Sequence, residues 1–509
     1  MGGGLMQLVA YGAQDVYLTG NPQITFFKVV YRRHTNFAME SIQQTFNGTA
    51  DFGKRVSCTI SRNGDLIHRM YLQVDIPAVD ISGASFRWID SLGHFLISTA
   101  ELQIGGQRID FHYGDWLEIF NELTLPSGLK AGYQRMIGNT YALTTTESGT
   151  SLDGKYEKPQ TTLYIPLQFF FCRNPGLALP LIALQYHEVV INIEFARAAS
   201  CYMAGGNGTP TPTMLNPNLQ NASLYVDYIY LDTDERRRFA QVSHEYLIDQ
   251  LQFTGEETFT GSTFKSRLNF NHPVKELVWV VQRSDVVDNN VNQWCNYTTQ
   301  RCVDGAVVDY NDTGLNVWSN NQYATTTQTV AGLSDAGIFG GRESGNANQW
   351  AGENALNYGG LGPVTGSSLY AATISGGLVP ATASGQLTNP HVFGGPGAQN
   401  CVWAAKLLLN GHDRFSERKG TYFNLVQPYQ HHTNIPDSPG INVYSFAVKP
   451  EDHQPSGTCN MSRIDNATLL LSVHPDIASS NLNKKLRVYA VNYNVLRIMS
   501  GMGGLAYSN

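Results

Sequence analysis

Residues 100–121, AELQIGGQRIDFHYGDWLEIFN, combine alternating apolar residues with a Gly-Gly turn and then an aromatic-rich segment. This pattern predicts a β-hairpin with one buried face, followed by a short helix. A second stretch at residues 405–424, AKLLLNGHDRFSERKGTYFN, has the same order of features, and Ala100 reappears as Ala405 at an offset of 305. Two copies of one hairpin predict an internal duplication, provided that the other strands recur in the same order.

The other strand patterns do recur. Eight occur in the first half, at residues 41–46, 55–61, 66–76, 99–104, 107–111, 162–170, 187–195 and 223–231. Eight more follow in the second half, at residues 250–253, 263–270, 276–282, 402–409, 412–415, 442–448, 467–473 and 486–498. Short antiparallel strands with little helix are typical of a β-sandwich or jelly roll and not of βαβ units. The sequence therefore predicts two similar all-β units in tandem.

Two segments outside these strands have their own patterns. The first residues of the chain, broken by Gly12, Gly20 and Asn21-Pro22, predict an extended arm that ends in a strand around residues 24–31. Residues 233–248, TDERRRFAQVSHEYLI, have mixed charges and good helix formers and predict a connector helix. Its three arginines could bind phosphate or lipid head groups, but we expect them to pair with the adjacent acidic residues on a solvated surface.

The longest connection, residues 284–400, lies between the third and fourth strands of the second half. It contains 18 of the 49 Gly residues, and its eight acidic and two basic residues give it a charge of -6. Connections of this length inside a compact domain usually form a functional surface structure. Trp294, Trp318 and Trp350 predict that it packs on itself and is not a disordered tail.

Composition excludes several classes of protein. The net charge of -7 argues against a nucleic-acid-wrapping protein, which needs a basic face. No apolar run approaches the roughly 20 residues that span a bilayer. The first residues lack the pattern of a signal peptide, so we expect no secretory route. Seven Cys, an odd number spread along the chain, indicate reduced thiols in the cytosol and no disulfide framework.

The segment GAQDVYLTGNPQITFFKVVYRRHTNF, residues 12–37, is similar to the opening of the major capsid proteins of large icosahedral nucleocytoplasmic DNA viruses of eukaryotes. The resemblance continues through NGDLIHRMYLQVDIP at residues 63–77 and ERRRFAQVSHEYLI at residues 235–248, so it spans both halves. It implies an all-β double jelly roll, with two consecutive eight-stranded antiparallel jelly rolls, long loop insertions and short helices. It also implies a structural protein that forms pseudo-hexagonal homotrimers and tiles an icosahedral virion shell.

The resemblance further implies partners and a location. The expected partners of the protein are other copies of itself, neighbouring capsomers, and minor capsid and penton proteins. An inner membrane is a potential neighbour, and no direct binding of nucleic acid is expected. Synthesis and assembly are expected in the host cytoplasm. The predicted division is an arm (1–26), a first jelly roll (27–232), a connector (233–248), a second jelly roll (249–500) with its large insertion (284–400), and a tail (501–509).

The alternative to a structural shell protein is an enzyme, because the fold alone does not determine the function. Asp110, Asp115, Glu118 and Glu122 form the best carboxylate cluster for a carbohydrate-hydrolysing or carbohydrate-binding jelly-roll protein. On a helix the last three share one face, which is also the pattern of a solvated face. We expect the shell protein, with no enzyme activity, no catalytic residue, no cofactor and no metal site.

Other candidate residues are histidines and sequons. His412, His431 and His432 could serve acid-base or metal chemistry, but neighbours in a strand point to opposite faces, so we expect structural or exposed side chains. Of seven N-x-[ST] sequons, Asn296 and Asn311 in the long insertion are the glycosylation candidates. Without a secretory signal they do not indicate glycosylation of the host type.

Overall fold

The computed structural model describes residues 3–80, 85–144, 157–205, 217–288, 292–299, 301–303, 306–308, 317–319, 399–478 and 483–507. The first half contains eight main strands: β1 Phe37–Gln44, β2 Arg55–Thr59, β3 Leu66–Ile76, β4 Ile97–Ile104, β5 Gln107–Tyr113, β6 Thr161–Pro166, β7 Val189–Phe195 and β8 Asn221–Leu231. All pairs between them are antiparallel. One sheet has the order β1–β8–β3–β6 and the other the order β2–β7–β4–β5.

The second half repeats this arrangement. Its main strands are β9 His244–Phe259, β10 Thr263–Leu268, β11 Pro273–Arg283, β12 Val402–Leu409, β13 His412–Asp413, β14 Ile441–Ser445, β15 Ala467–Val473 and β16 Lys484–Met499. One sheet has the order β9–β16–β11–β14 and the other the order β10–β15–β12–β13. Since both halves have the same strand order in both sheets, the predicted duplication and the double jelly-roll fold are confirmed.

The two hairpins that indicated the duplication have the same turn. Gly105 and Gly106 between β4 and β5 have φ values of 58° and 81°, and Asn410 and Gly411 between β12 and β13 have φ values of 51° and 81°. Positive φ at both central residues defines the type I′ turn, whose twist matches that of the strands it joins. Glycine at the second position has no Cβ to clash in this conformation.

Each half buries its own core between its two sheets. In β3 the alternate residues Met70, Leu72 and Val74 are buried inside the first sandwich, and Tyr71 and Gln73 between them point outward. In the second sandwich Leu277 and Trp279 of β11 have the equivalent inward direction. The period of two along each strand thus places one apolar face in each core.

Short elements fill the connections. The helices are α1 Gly3–Val9, α2 Val16–Thr19, α3 Leu92–Leu96, α4 Gly114–Thr124, α5 Ser127–Met136, α6 Tyr141–Thr144, α7 Phe170–Arg173, α8 Thr233–Gln241, α9 Ser284–Val287, α10 Gln427–His431 and α11 Pro475–Ala478. A π-helical turn, Tyr422–Val426, leads into α10, and single 3₁₀ turns occur at Pro175–Leu177, Ala198–Ser200 and Met461–Arg463. Minor strands are Val79–Asp80, Ser85–Trp88, Glu157–Lys158, Leu179–Pro180, Tyr202–Gly205, Arg301–Val303, Ala306–Val308, Val317–Ser319, Arg418–Lys419, Cys459–Asn460 and Met502–Leu505. No helix within the described ranges is long and apolar enough to cross a membrane.

The predicted strand at residues 24–31 is wrong. These residues form turns and irregular backbone, and the first strand begins only at Phe37. The apolar run offers side chains of the right type, but a strand also needs a partner for its backbone groups. Strand β1 pairs with β8 on one side only, and residues 24–31 do not pair with its free edge in the described chain.

The predicted connector helix is too long. Helix α8 ends at Gln241, and residues 244–248 are the start of β9, paired with β16 from His244↔Ile498 onward. The predicted arginine pairing is also wrong for Arg236, whose guanidinium lies 3.0 Å from Asp65 of the first half. The alternating HEYLI pattern forms a strand because β16 provides a long antiparallel partner.

The long insertion packs partly on the first half. The Trp294 indole donates to the carbonyl of Ser200 at 3.0 Å and stacks on Phe95, so this residue does not pack within its own segment as predicted. Trp350 lies outside the described residues, and of Trp318 only the backbone in the strand Val317–Ser319 is described.

Candidate assembly surfaces

Helix α4 joins the two halves. It follows β5 of the first half and buries Trp116, Ile119 and Leu123 in one apolar cluster with the second half. These residues are spaced so that they share one face of the helix. Their partners are Val278, Val280, Tyr297, Ile441, Val443, Tyr489 and Val491, six of which lie on β11, β14 and β16. The joint is therefore a small hydrophobic core to which both halves contribute.

An ion-pair group around the buried Arg487 fixes the start of α4. The guanidinium of Arg487 in β16 contacts the carboxylate of Asp115 in α4 and lies 2.7 Å from that of Glu256 in β9. Burial alone would lower the pKa of Arg487, but the charges of Asp115 and Glu256 raise it, so the side chain stays charged. Loss of both carboxylates would leave the buried charge of Arg487 without compensation, which is strongly destabilising.

The end of α4 is also held by the second half. Lys130 of α5 lies 3.0 Å from Glu122 of α4 and contacts Asp437 of the second half. The backbone N–H of Asp437 donates to the Glu122 carboxylate at 3.1 Å. The backbone N–H of Asn434 donates to the carbonyl of Leu123 at 3.0 Å. Residues 432–440, which follow α10, thus border α4 along its last turn.

The candidate carboxylates have structural partners. Besides the pairs of Asp115 and Glu122, the Glu118 carboxylate lies 2.5 Å from Nδ1 of His94, whose Nε2 lies 2.8 Å from the Tyr133 hydroxyl. Glu118 and Glu122 border a cavity of about 40 Å³. Ligand pockets typically measure about 300–1,000 Å³, so a sugar unit does not fit there. This geometry favours a closed joint over a carbohydrate site.

Asp110 does not belong to this cluster. It lies in β5, where its carboxylate is 2.9 Å from Nε2 of His112 and accepts a hydrogen bond of 3.2 Å from the backbone N–H of Leu251 in β9. Its contact with β9 adds a second, polar link between the halves. Three of the four candidate carboxylates, Asp110, Asp115 and Glu122, therefore contact the second half directly.

The histidine candidates have different surroundings. His431 and His432 lie at the end of α10 and not in a strand, and His412 is exposed in β13. The His432 ring lies 3.1 Å from Glu276 and 2.9 Å from Glu451. Burial alone would lower the pKa of His432, but Glu276 and Glu451 raise it to about 9, so the ring is charged at neutral pH. Within the described ranges no three His, Cys, Asp or Glu side chains form a group suited to a metal ion.

Of the two glycosylation candidates, the structure describes Asn296. Asn296 is buried, and its amide nitrogen donates to Oε1 of Gln293 at 2.9 Å while its oxygen accepts from the backbone N–H of Thr298 at 3.1 Å. A glycan on this nitrogen would require the folded chain to open. Asn311 lies outside the described residues.

The arm is the most exposed apolar part of the described chain. From residue 3 to residue 36 every residue except Asp15 is exposed. Phe26 and Phe27 are 88% and 99% exposed. The other large apolar side chains exposed here are Leu5, Met6, Leu8, Val9, Tyr11, Val16, Tyr17, Leu18, Ile24, Val29, Val30 and Tyr31. Apolar surface of this extent is typical of a binding site for another molecule.

Sequence reasoning missed the joint, although a signal was present. Trp116, Ile119 and Leu123 form an apolar face on the same helix that carries the candidate carboxylates. Such a face predicts packing against another element. The sequence offered no signal for Arg487, which pairs with Asp115 from 372 positions further along the chain.

Both halves match models of one protein family. Residues 25–232 match the model of the major capsid protein N-terminus, and residues 235–504 match that of the large eukaryotic DNA virus major capsid protein. The major capsid protein of Phaeocystis pouchetii virus is 53% identical, with full coverage of both chains. The major capsid protein of Paramecium bursaria Chlorella virus 1 is 41% identical, also with full coverage.

Solved structures agree with these matches. A quasi-atomic model of the PBCV-1 virus capsid is 36% identical, with a TM-score of 0.64 and coverage of 95% of this chain and 100% of that chain. The Faustovirus major capsid protein, at 13% identity, has a TM-score of 0.62 over 96% of this chain and 94% of its own, which shows the shared fold alone.

Proposed function

The chain belongs to the major capsid proteins of large eukaryotic DNA viruses and is a structural protein of the virion shell, and we propose that it builds this shell as a homotrimer of pseudo-hexagonal outline. The observation that carries the proposal is the duplication. Two sandwiches with the same strand order stand side by side in one chain, so three chains supply six similar units. Six similar units around one axis fill a hexagonal tile, and a head-to-tail contact that closes after three chains gives a ring.

We further propose that this subunit has no catalytic activity of its own. The family is one of structural shell proteins, and the carboxylates that best suited a glycosidase are paired with His94, His112, Lys130 and Arg487. The cavity beside Glu118 and Glu122 is too small for a sugar. A carbohydrate-binding or carbohydrate-hydrolysing role is therefore the weaker candidate.

The neighbours of the subunit in the shell include other capsomers. We propose that the exposed arm contacts minor capsid and penton proteins on the inner side of the shell, close to an inner membrane, because no described part of the chain covers its apolar side chains. We also propose assembly in the host cytoplasm, no direct contact with nucleic acid, and Asn311 as the remaining glycosylation candidate.

The proposed units are an arm at residues 1–26, two jelly rolls at 27–232 and 249–500 joined by a connector at 233–248, and a tail at 501–509. The start of β9 at His244 suggests that the second jelly roll begins within the proposed connector.

The size of the purified protein in solution tests the homotrimer. Light scattering at micromolar concentration should give the mass of three chains. A folded protein that stays a monodisperse monomer under these conditions would overturn the proposal, and circular dichroism of the same sample controls for folding.

A further inference from the structure

Helix α10 and the π-helical turn before it present apolar side chains that nothing in the described chain covers; together these side chains are called the free face of α10. Leu425 and Val426 in the π-helical turn are 46% and 39% exposed, and Tyr429 in α10 is 76% exposed. The opposite side of the same segment is anchored, because Phe423 is buried in the second core and Asn424 donates to the carbonyl of Ile441 at 3.1 Å. The helix is thus fixed to its own half and has one free apolar face.

The chain contains a second helix in the same position of the duplicated fold. Helix α4 follows the hairpin β4–β5, and the turn that leads into α10 follows the equivalent hairpin β12–β13. Asn121 and Asn424 lie at equivalent places in the two segments, and both are buried. The apolar face of α4, in contrast, is covered, since Trp116, Ile119 and Leu123 pack on the outer face of sheet β9–β16–β11–β14.

The space that α4 occupies in the second half has two walls. One wall is the outer face of this sheet, and the other is formed by residues 432–440, which follow α10 and donate to Leu123 through Asn434. In the first half the equivalent walls are the outer face of sheet β1–β8–β3–β6 and helix α5, which follows α4. Between them the structure has an open groove of about 860 Å³.

The groove has an aromatic floor. Tyr71 and Tyr225 stack with ring centroids 5.1 Å apart, and Tyr164 lies 6.1 Å from Tyr71. Tyr71 and Tyr164 line the groove together with Phe120 and Leu125 from the α4–α5 side, and Tyr164 is 39% exposed. A helix turn about 10 Å wide and 5.4 Å high fills roughly 400 Å³, so the groove takes about two turns. The segment from Tyr422 to His431 has ten residues, or nearly three turns.

We infer that the free face of α10 from one copy of this chain docks in the groove of a second copy, on Tyr71 and Tyr164. The contact repeats between chains the packing that α4 makes within one chain. Because it joins different surfaces of two identical chains, it is head-to-tail, and closure after three chains gives the ring. The inference rests on the homotrimer proposed above and names the surfaces that hold it together.

Charge substitutions on the two surfaces test this contact. Tyr429→Glu and Tyr164→Glu, made separately, should each raise the concentration at which half of the chains are trimeric by roughly 100-fold or more, because the loss of a buried aromatic anchor, about 30-fold per contact, occurs at all three contacts of the ring. Val242→Glu is the matched control, because Val242 is 52% exposed and lies after α8, outside the proposed contact. Sedimentation measures the masses, and circular dichroism verifies that each variant is folded.

A crosslink gives a second readout that does not depend on loss of the trimer. Chains with Tyr429→Cys and chains with Tyr164→Cys are mixed and treated with a short bifunctional thiol reagent. A covalent dimer should form in the mixture and not in either variant alone. A wild-type trimer with unchanged assembly of Tyr429→Glu and no crosslink overturns the inference and leaves the homotrimer intact. A wild-type monomer overturns the homotrimer and the inference with it.

Discussion

Replacement of Trp116 by Ala measures how strongly α4 holds the two halves together. Trp116 is 3% exposed, and its ring centroid lies 5.4 Å from that of Tyr489 in the second half. Deleting a buried Trp side chain costs about 3–5 kcal/mol, which includes the cavity that remains. The lost aromatic pair accounts for about 0.5–1.5 kcal/mol of the interaction. We therefore expect Trp116→Ala to lower the free energy of unfolding by about 3–5 kcal/mol.

Urea denaturation followed by circular dichroism gives this difference without relying on tryptophan fluorescence. Leu129→Ala is the matched control, because Leu129 lies on the neighbouring helix α5 and is 62% exposed. Its effect should stay within about 0.5 kcal/mol. Hydrogen exchange locates the change, since a loss of about 3 kcal/mol should speed exchange of the α4 amides by roughly 100-fold.

Equal stability of Trp116→Ala and Leu129→Ala, within about 1 kcal/mol, would refute the assignment of α4 as the joint. Unchanged exchange in α4 combined with faster exchange only in the first core would refute it as well, because the energy would then reside inside one half.

Four further results are expected. The His432 ion pairs stabilise the fold fully below the ordinary pKa of 6.5, and this stabilisation is lost as pH rises through about 9. The melting temperature should therefore fall between these two pH values in the wild type and not in His432→Gln. A wild-type melting temperature that does not change over this range contradicts the prediction. Burial raises the pKa of the thiols of Cys58, Cys172, Cys201 and Cys401, so these thiols should resist alkylation in the native protein. After unfolding without reductant, all seven thiols of the chain should react. Fewer than seven modified thiols would indicate a disulfide. Deletion of residues 1–22 should spare folding and the trimer and impair shell assembly, whereas unfolding of the first half would show that the arm is part of the core. The connections 121–161, 196–222 and 284–400 all leave the same end of their antiparallel sandwiches, so a broad-specificity protease should cut intact particles there; protection of all three with cleavage of the arm would reverse the orientation.

The strands could be predicted because their signals are local. The alternation of Met70, Leu72 and Val74 and the paired turns at Gly106 and Gly411 depend only on neighbours in sequence, and the structure has the predicted elements there. The order of eight strands, repeated with connections of different lengths, then restricted the fold to two tandem sandwiches.

The remaining features depend on partners far along the chain. Residues 24–31 have the composition of a strand, yet they pair with no sheet edge within the described residues. Asp115 has the pattern of a solvated helix face, but its carboxylate pairs with the buried guanidinium of Arg487. Pairing and burial of this kind are set by tertiary packing, which overrides local pattern.

The joint at α4 also bears on the curvature of the shell. Bending the subunit at the joint between its two halves would pull Trp116 out of its apolar surroundings and separate Arg487 from Asp115, and both changes cost free energy. A closed shell must nevertheless change direction from one facet to the next. A subunit that resists flexing leaves those changes of angle to the contacts between separate chains.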